Sequence, residues 1–203
     1  MRRAAALRIG IFGGAFDPPH LGHRALALAA LEQLGLDRLL VIPTGQAWHK
    51  AGSLSPAAHR LEMARLAFAD LERVHIDARE TQRAGPTYTI DTLHALQREQ
   101  DQAQWFLLVG QDQAQALHSW RNWQEICRIA IICVAERPDL TGDFPTLDLA
   151  SGALGEVRRL QMPPHAISAS EIRRRVAHHE SIAALVFEPV ARYIDHHHLY
   201  QPA

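Results

Sequence analysis

The sequence lacks an excess of either charge, a set of cysteines large enough for a disulfide framework, and any long apolar run. Its 203 residues carry 21 Lys and Arg against 22 Asp and Glu, so no broad cationic surface favours nucleic acid or anionic lipid. Two cysteines suit a reducing compartment. No uncharged apolar stretch approaches the roughly 18 residues that a membrane span needs. We therefore expect a soluble, cytoplasmic protein with no nucleic-acid partner and no membrane partner.

What is present is the composition of an ordinary globular protein, with 47% hydrophobic and 21% charged residues. A chain of this length fits one domain. We expect a single domain over residues 1–203, with its core at about 8–138 and a C-terminal segment at about 157–200. The region between them, rich in Gly, Pro, Asp and Thr, predicts a surface loop whose role the sequence leaves open.

Short apolar runs alternate with helical patterns along the chain. Strands are predicted at 9–12, 39–42, 74–76, 105–109, 129–134 and 157–160, and helices at 21–34, 56–68, 89–97, 168–178 and 189–196. Ser55 is the expected N-cap of the second helix, with Pro56 at its first position. Repeated strand–helix–strand units build parallel sheets. The predicted fold class is α/β, a Rossmann-like doubly wound parallel sheet with a small C-terminal helical tail.

The segment after the first strand carries the strongest chemical pattern, Gly13-Gly14-Ala15-Phe16-Asp17-Pro18-Pro19-His20-Leu21-Gly22-His23. Ligands of such sheets bind beyond the carboxyl ends of the strands. Glycines there can present backbone N–H groups to an anion. If a helix begins near Pro19, His20 and His23 share one face of its first turn, where the helix dipole favours phosphate. The spacing matches neither a dinucleotide fingerprint nor a Walker loop.

This segment resembles the nucleotidyltransferase superfamily, whose signature is close to G-T-F-D-P-x-H-x-G-H. The resemblance implies that His20 and His23 contact the phosphates of a nucleoside triphosphate, and that Gly13, Gly14, Ala15 and Phe16 belong to the ATP site. One position departs from the signature, because Ala15 replaces the usual threonine and its hydroxyl contact is lost.

A second motif, Ile167-Ser168-Ala169-Ser170-Glu171-Ile172-Arg173, predicts a helix start followed by an arginine in the first turns. Free N–H groups and an arginine together can grip a phosphate, although S-x-x-E alone is also an ordinary capping box. The motif resembles the I-S-[ST]-[ST]-x-I-R element that closes the triphosphate site of the superfamily. The resemblance assigns ATP contacts to Ile167, Ser168 and Ser170, and a catalytic contact to Arg173.

Three further stretches resemble the nicotinate-nucleotide adenylyltransferase family: 85–92 with Tyr88 and Thr89, 109–112 followed by Trp120, and 43–50 ending in His49-Lys50. The resemblance implies that Gly110 and Asp112 contact ATP, Asp112 through the ribose hydroxyls. It places Gly14, Lys50, Tyr88, Thr89, Trp120 and Arg121 around nicotinate mononucleotide. A helix N-cap for Asp112 and a core position for Trp120 remain the alternatives. Arg121 departs from the aromatic residue expected after that tryptophan.

The implied reaction moves AMP from ATP to nicotinate mononucleotide, giving nicotinate adenine dinucleotide and pyrophosphate. Mg²⁺ is expected to bind mainly through the ATP phosphates, with no dedicated protein metal site. The alternatives are a nicotinamide-mononucleotide or pantetheine-phosphate adenylyltransferase, and a non-catalytic nucleotide-binding sensor on the same fold. The sequence leaves open the preference for nicotinate over nicotinamide and the oligomeric state.

Overall fold

A computed structural model describes residues 6–45, 54–135, 156–162 and 167–202. Its strands are β1 Arg8–Gly14, β2 Arg38–Pro43, β3 Val74–Ile76, β4 Gln104–Gly110, β5 Ala130–Ala135 and β6 Val157–Leu160. Its α-helices are α1 Leu21–Gln33, α2 Ala57–Phe68, α3 Thr89–Glu99, α4 Gln111–Gln115, α5 Trp123–Ile129, α6 Ala169–Ala177 and α7 Glu188–His196. The six predicted strands and five predicted helices are therefore confirmed within a few residues.

All six strands are parallel and lie in the order β3-β2-β1-β4-β5-β6. The chain runs outward from β1 to β3, then returns to β4 on the other side of β1. This reversal opens a crevice between the carboxyl ends of β1 and β4, the usual ligand position in doubly wound sheets. The predicted Rossmann-like α/β fold is confirmed, and the Gly13-Gly14 turn lies beside this crevice.

Both faces of the sheet are buried, which explains the continuous apolar runs of its strands. Alternate strand residues face opposite cores: Phe12 and Leu108 pack with α1, α2, α6 and α7, while Ile11 and Leu107 pack with α3, α4 and α5. We call the first the tail-side face, because α6 and α7 cover it, and the second the α3-side face. Cys133 is fully buried, and the loss of hydration raises its thiol pKa to about 12. Cys133 therefore acts as a small apolar group, as predicted.

Two details of the helices differ from expectation. The second helix begins at Ala57, with Pro56 rather than Ser55 in the N-cap position. Ser55 instead uses its backbone, donating its N–H to Asp17 and accepting from Arg60 through its carbonyl. Helices α4 and α5 were not predicted, because five and seven residues are too few to show a helical period.

No helix among the described residues is long and apolar enough to cross a membrane. The predicted loop at 139–155 lies outside the described residues.

Candidate active site

The loop between β1 and α1 is anchored to the tail-side core by the aromatic side chain of Phe16. Phe16 is 2% exposed and adopts a left-handed φ of 50°. Its ring meets Phe12 at 5.3 Å and Phe68 at 6.3 Å between centroids, both in edge-on geometry. Because Phe16 points into the tail-side core, Gly13 stays exposed and Gly14 and Ala15 stay partly exposed at the crevice. The loop thus presents its backbone to the site and its apolar side chain to the core.

The two histidines of the loop stack at the start of α1. The helix begins at Leu21, as predicted, and His20 takes the N-cap position. The rings of His20 and His23 lie 3.7 Å apart between centroids, with 29° between their planes. The predicted shared face is therefore present, and both rings lie at the positive end of the α1 dipole.

The protonation of His23 follows from its surroundings. Its Nδ1 accepts the backbone N–H of His20 at 3.1 Å, so the neutral ring carries its proton on Nε2. Loss of hydration, and secondly the neighbouring His20, hold the pKa of His23 well below its ordinary value. At neutral pH, His23 is consequently an uncharged N–H donor.

The C-terminal motif comes back to this loop across 156 residues of sequence. Arg173 donates from Nη1 to the backbone oxygen of Asp17 at 2.7 Å and from Nη2 to Ser170 Oγ at 3.3 Å. Ser168 is the N-cap of α6 and accepts the N–H of Glu171 at 3.2 Å. The Glu171 carboxylate pairs with Arg174 and Arg175. The structure therefore brings Arg173, Ser168 and Ser170 toward the β1–α1 loop, with Ile167 packed against the tail-side core.

A cavity of about 120 Å³ opens next to the crevice on the α3-side face. Tyr88, Thr89, Trp120 and Arg121 all line it, together with Gly13 at the end of β1. The Arg121 guanidinium lies over the Tyr88 ring, 4.9 Å from its centroid. Four of the six residues that the resemblance assigned to the pyridine nucleotide thus come together in one cavity, beside the turn assigned to ATP.

The remaining predicted residues are Gly110, Asp112 and Lys50. Gly110 ends β4 and is the N-cap residue of α4, so Asp112 is an exposed residue inside α4 and not its N-cap. Both lie at the carboxyl end of the strand beside β1. Lys50 lies outside the described residues.

Arg60, a buried arginine of α2, was not among the predicted site residues. Arg60 is 2% exposed, and its guanidinium donates to the carbonyls of Ala15 at 2.9 Å and Thr44 at 2.7 Å. It also reaches the carbonyls of Ser55 and Gly45. Burial lowers its pKa, while the nearby Asp17 carboxylate raises it. Arg60 therefore links the β1–α1 loop to Thr44, which lines the cavity.

Glu80 is a second missed residue. It lines the cavity, is 9% exposed and accepts the hydroxyl of Thr92 at 2.8 Å. Burial raises its pKa, and hydrogen bonds from Thr92 and Thr87 lower it in part. A Cβ at Gly45 would overlap the Glu80 backbone oxygen, so the two loops require glycine at that contact. No short motif in the sequence marks either Arg60 or Glu80.

Comparison with known proteins first defines the class. A family model described as cytidylyltransferase-like matches residues 11–175. This range begins in β1 and ends in α6, and so includes the motif at 13–23 and the motif at 167–173. The fold and the match define a cytidylyltransferase-like protein.

Two curated relatives narrow the class. A protein of Albidiferax ferrireducens named probable nicotinate-nucleotide adenylyltransferase is 58% identical over 97% of this chain and 99% of its own. A protein of the same name from Methylibium petroleiphilum is 40% identical over 100% of this chain and 96% of its own. The chain belongs to the nicotinate-nucleotide adenylyltransferase family.

A solved structure agrees in fold. The nicotinic acid mononucleotide adenylyltransferase of Plasmodium falciparum, complexed with NaAD, superposes with a TM-score of 0.74 at 18% identity. The match covers 96% of this chain and 97% of that one.

Proposed function

We propose that this protein transfers the adenylyl group of ATP to nicotinate mononucleotide, releasing pyrophosphate and forming nicotinate adenine dinucleotide. One observation carries the proposal: the stacked His20 and His23 and the cavity of Tyr88, Thr89 and Trp120 meet at the carboxyl end of β1. The proposed triphosphate site would therefore adjoin the proposed site for a flat ring, as a transfer between two substrates requires.

The chemistry needs alignment rather than a protein nucleophile. An oxygen of the 5′-phosphate of nicotinate mononucleotide bonds to the α-phosphorus of ATP, the bond from that phosphorus to the bridging oxygen breaks, and pyrophosphate leaves with the electron pair. The incoming phosphate is already anionic, so no covalent enzyme intermediate is required. His20, His23 and Arg173 would stabilise the charge that develops on the phosphates.

The remaining residues bind and orient the substrates. Backbone groups of Gly13, Gly14, Ala15 and Phe16 would face the triphosphate, joined by Ile167, Ser168 and Ser170 from the C-terminal motif. Gly110 and Asp112 would contact the adenosine half. On the other side, Trp120 would stack on the pyridinium, whose positive charge is attracted to an indole face. Tyr88, Thr89, Gly14, Lys50 and Arg121 would complete the nicotinate mononucleotide site.

Mg²⁺ belongs to the proposal as an ion carried mainly by ATP. Within residues 6–45, 54–135, 156–162 and 167–202, no group of three or more His, Cys, Asp or Glu side chains is placed to hold a metal. Mg²⁺ keeps several waters and uses few protein ligands, so the ATP phosphates would supply most of its ligands. The bound ion would neutralise charge on the triphosphate. A single nucleotidyltransferase domain over 1–203 and a cytoplasmic location complete the proposal.

The direct test is magnesium-dependent pyrophosphate release from ATP, with nicotinate mononucleotide, nicotinamide mononucleotide and phosphopantetheine offered separately. We expect turnover with nicotinate mononucleotide and little with the other two. Equal turnover with both pyridine nucleotides would remove the carboxylate preference. Turnover with phosphopantetheine alone would contradict the proposed pyridine site. No pyrophosphate release with any of the three, despite ATP binding, would favour a nucleotide sensor.

Arg121 offers a test of carboxylate recognition within the cavity. We expect Arg121→Ala to lower the preference for nicotinate over nicotinamide mononucleotide about fivefold, because an exposed charge pair contributes up to about 1 kcal/mol. The measurement is the ratio of kcat/KM for the two substrates. Arg128→Ala, an exposed arginine of α5, is the matched control. An unchanged ratio in Arg121→Ala would show that this side chain has no part in recognition.

A further inference from the structure

The buried carboxylate of Asp17 lies in the middle of the β1–α1 loop, at 2% exposure. Three distant segments contact this residue. The hydroxyl of Tyr200 donates to Oδ1 at 2.6 Å, and the N–H of Ser55 donates to Oδ2 at 3.0 Å. Arg173 of α6 donates to the Asp17 backbone oxygen at 2.7 Å. The loop, the start of α2, the C-terminal motif and the end of the chain are thus joined at a single residue.

The Tyr200 hydroxyl keeps its proton at neutral pH. Burial raises the pKa of the Tyr200 phenol, and the hydrogen bond to Asp17 and its negative charge raise it further. The phenol therefore remains protonated and continues to donate. The same hydroxyl lies 3.9 Å from Met63 Sδ, which places the ring over the tail-side core. A hydrogen bond to a buried charged acceptor is stronger than one between neutral groups.

The contact involves only one of the two substrate regions. Tyr200 and Ile167 pack against the tail-side core, whereas Tyr88 and Trp120 pack against the core on the α3-side face. A shift of Asp17 would move the loop that leads into His20 and would displace the acceptor of Arg173. It would leave Tyr88 and Trp120 in place, because they pack on the opposite face of the sheet.

We propose that Tyr200, near the end of the chain, is a positioning residue for the ATP half of the site. Its hydroxyl fixes the Asp17 carboxylate, and through it the loop leading to His20 and the Arg173 contact. This inference rests on the proposed adenylyl transfer for its kinetic test. Because the triphosphate contacts depend on this geometry, loss of the hydroxyl should weaken the use of ATP more than the binding of the pyridine nucleotide.

The test compares full-length Tyr200→Phe with Tyr193→Phe. Tyr193 lies on the same tail, and its hydroxyl bonds His59 at 3.0 Å instead of the loop. We expect Tyr200→Phe to lower kcat/KM for ATP by about 10–100-fold, since small misplacements cost that much. KM for nicotinate mononucleotide should stay near the wild-type value, and Tyr193→Phe should leave both values unchanged. A purely structural role would lower the melting temperature while leaving KM for ATP unchanged, and that result would overturn the proposal.

A second variant approaches the same contact from its acceptor. Asp17→Asn should also lower kcat/KM for ATP. The double variant should be little worse than the poorer single variant, because the two residues act through one contact. Additive losses would overturn the proposal. Titration of ATP into each variant by calorimetry gives the affinity without turnover. If the wild type binds ATP but transfers nothing, the proposed function fails, while an unchanged ATP affinity in Tyr200→Phe refutes the positioning role separately.

Discussion

Replacing His20 by alanine is expected to lower kcat by about 10²–10³-fold, the effect of removing one donor from a charge-stabilising site. His20 occupies the N-cap of α1, stacked on His23 and at the positive end of the helix dipole. A donor at this position is valuable only if charge develops nearby during the reaction. The loss should therefore fall on kcat, measured by pyrophosphate release at saturating substrates.

The control must separate catalysis from helix capping. Loss of an N-cap side chain costs about 1 kcal/mol in stability, so the melting temperature of His20→Ala is measured alongside its activity. His196→Ala removes an exposed histidine from the last turn of α7 and should leave kcat unchanged. A loss of tenfold or less in a folded His20→Ala protein would contradict the central role given to this residue.

The strands were predictable because their chemistry is local. Buried parallel strands are continuous apolar runs, and three of the runs here end at a turn residue, Gly14, Pro43 or Gly110. The parallel direction of the strands also follows, because strand–helix–strand units build parallel sheets. The short helices between β4 and β5 had no comparable signal, since α4 and α5 are only five and seven residues long.

The residues of the candidate site also fall into two groups, those that the sequence predicts and those that it does not. Motifs marked the side chains that face the crevice, including His20, His23, Trp120 and Arg173. They did not mark Arg60 or the contact between Tyr200 and Asp17. Arg60 donates to backbone carbonyls, which every residue possesses, so its partners carry no recognisable residue type. Tyr200 and Asp17 are 183 positions apart, and only the folded chain brings them together.

The largest expected effect on stability belongs to Arg60→Met. Methionine fills part of the volume but donates no hydrogen bond, leaving the carbonyls of Ser55, Ala15 and Thr44 without the guanidinium. The buried Asp17 carboxylate also loses a nearby cation. Breaking a buried charged network in this way costs about 3–5 kcal/mol. Urea denaturation should show a lower midpoint with an unchanged slope, which identifies a change in stability alone.

Arg65→Met is the matched control, because Arg65 lies on the same helix with its side chain 55% exposed and paired to Glu62 at 3.0 Å. An exposed pair contributes at most about 1 kcal/mol, so this variant should unfold close to the wild type. Equal losses in the two variants would show that the buried contacts of Arg60 contribute nothing special.

Arg60→Lys separates charge from geometry. Lysine keeps the positive charge near Asp17, but a single ammonium group cannot reproduce the planar fork that reaches carbonyls in two loops. We expect Arg60→Lys to recover part of the stability that Arg60→Met loses. We expect both variants to have a lower kcat than the wild type, with little of it restored by lysine. Ala15 belongs to the β1–α1 loop and Thr44 lines the cavity, so under the proposed function Arg60 would set the distance between the two substrates. Full recovery of kcat by lysine would mean that the charge alone, and not the bridge between the loops, is what the site requires.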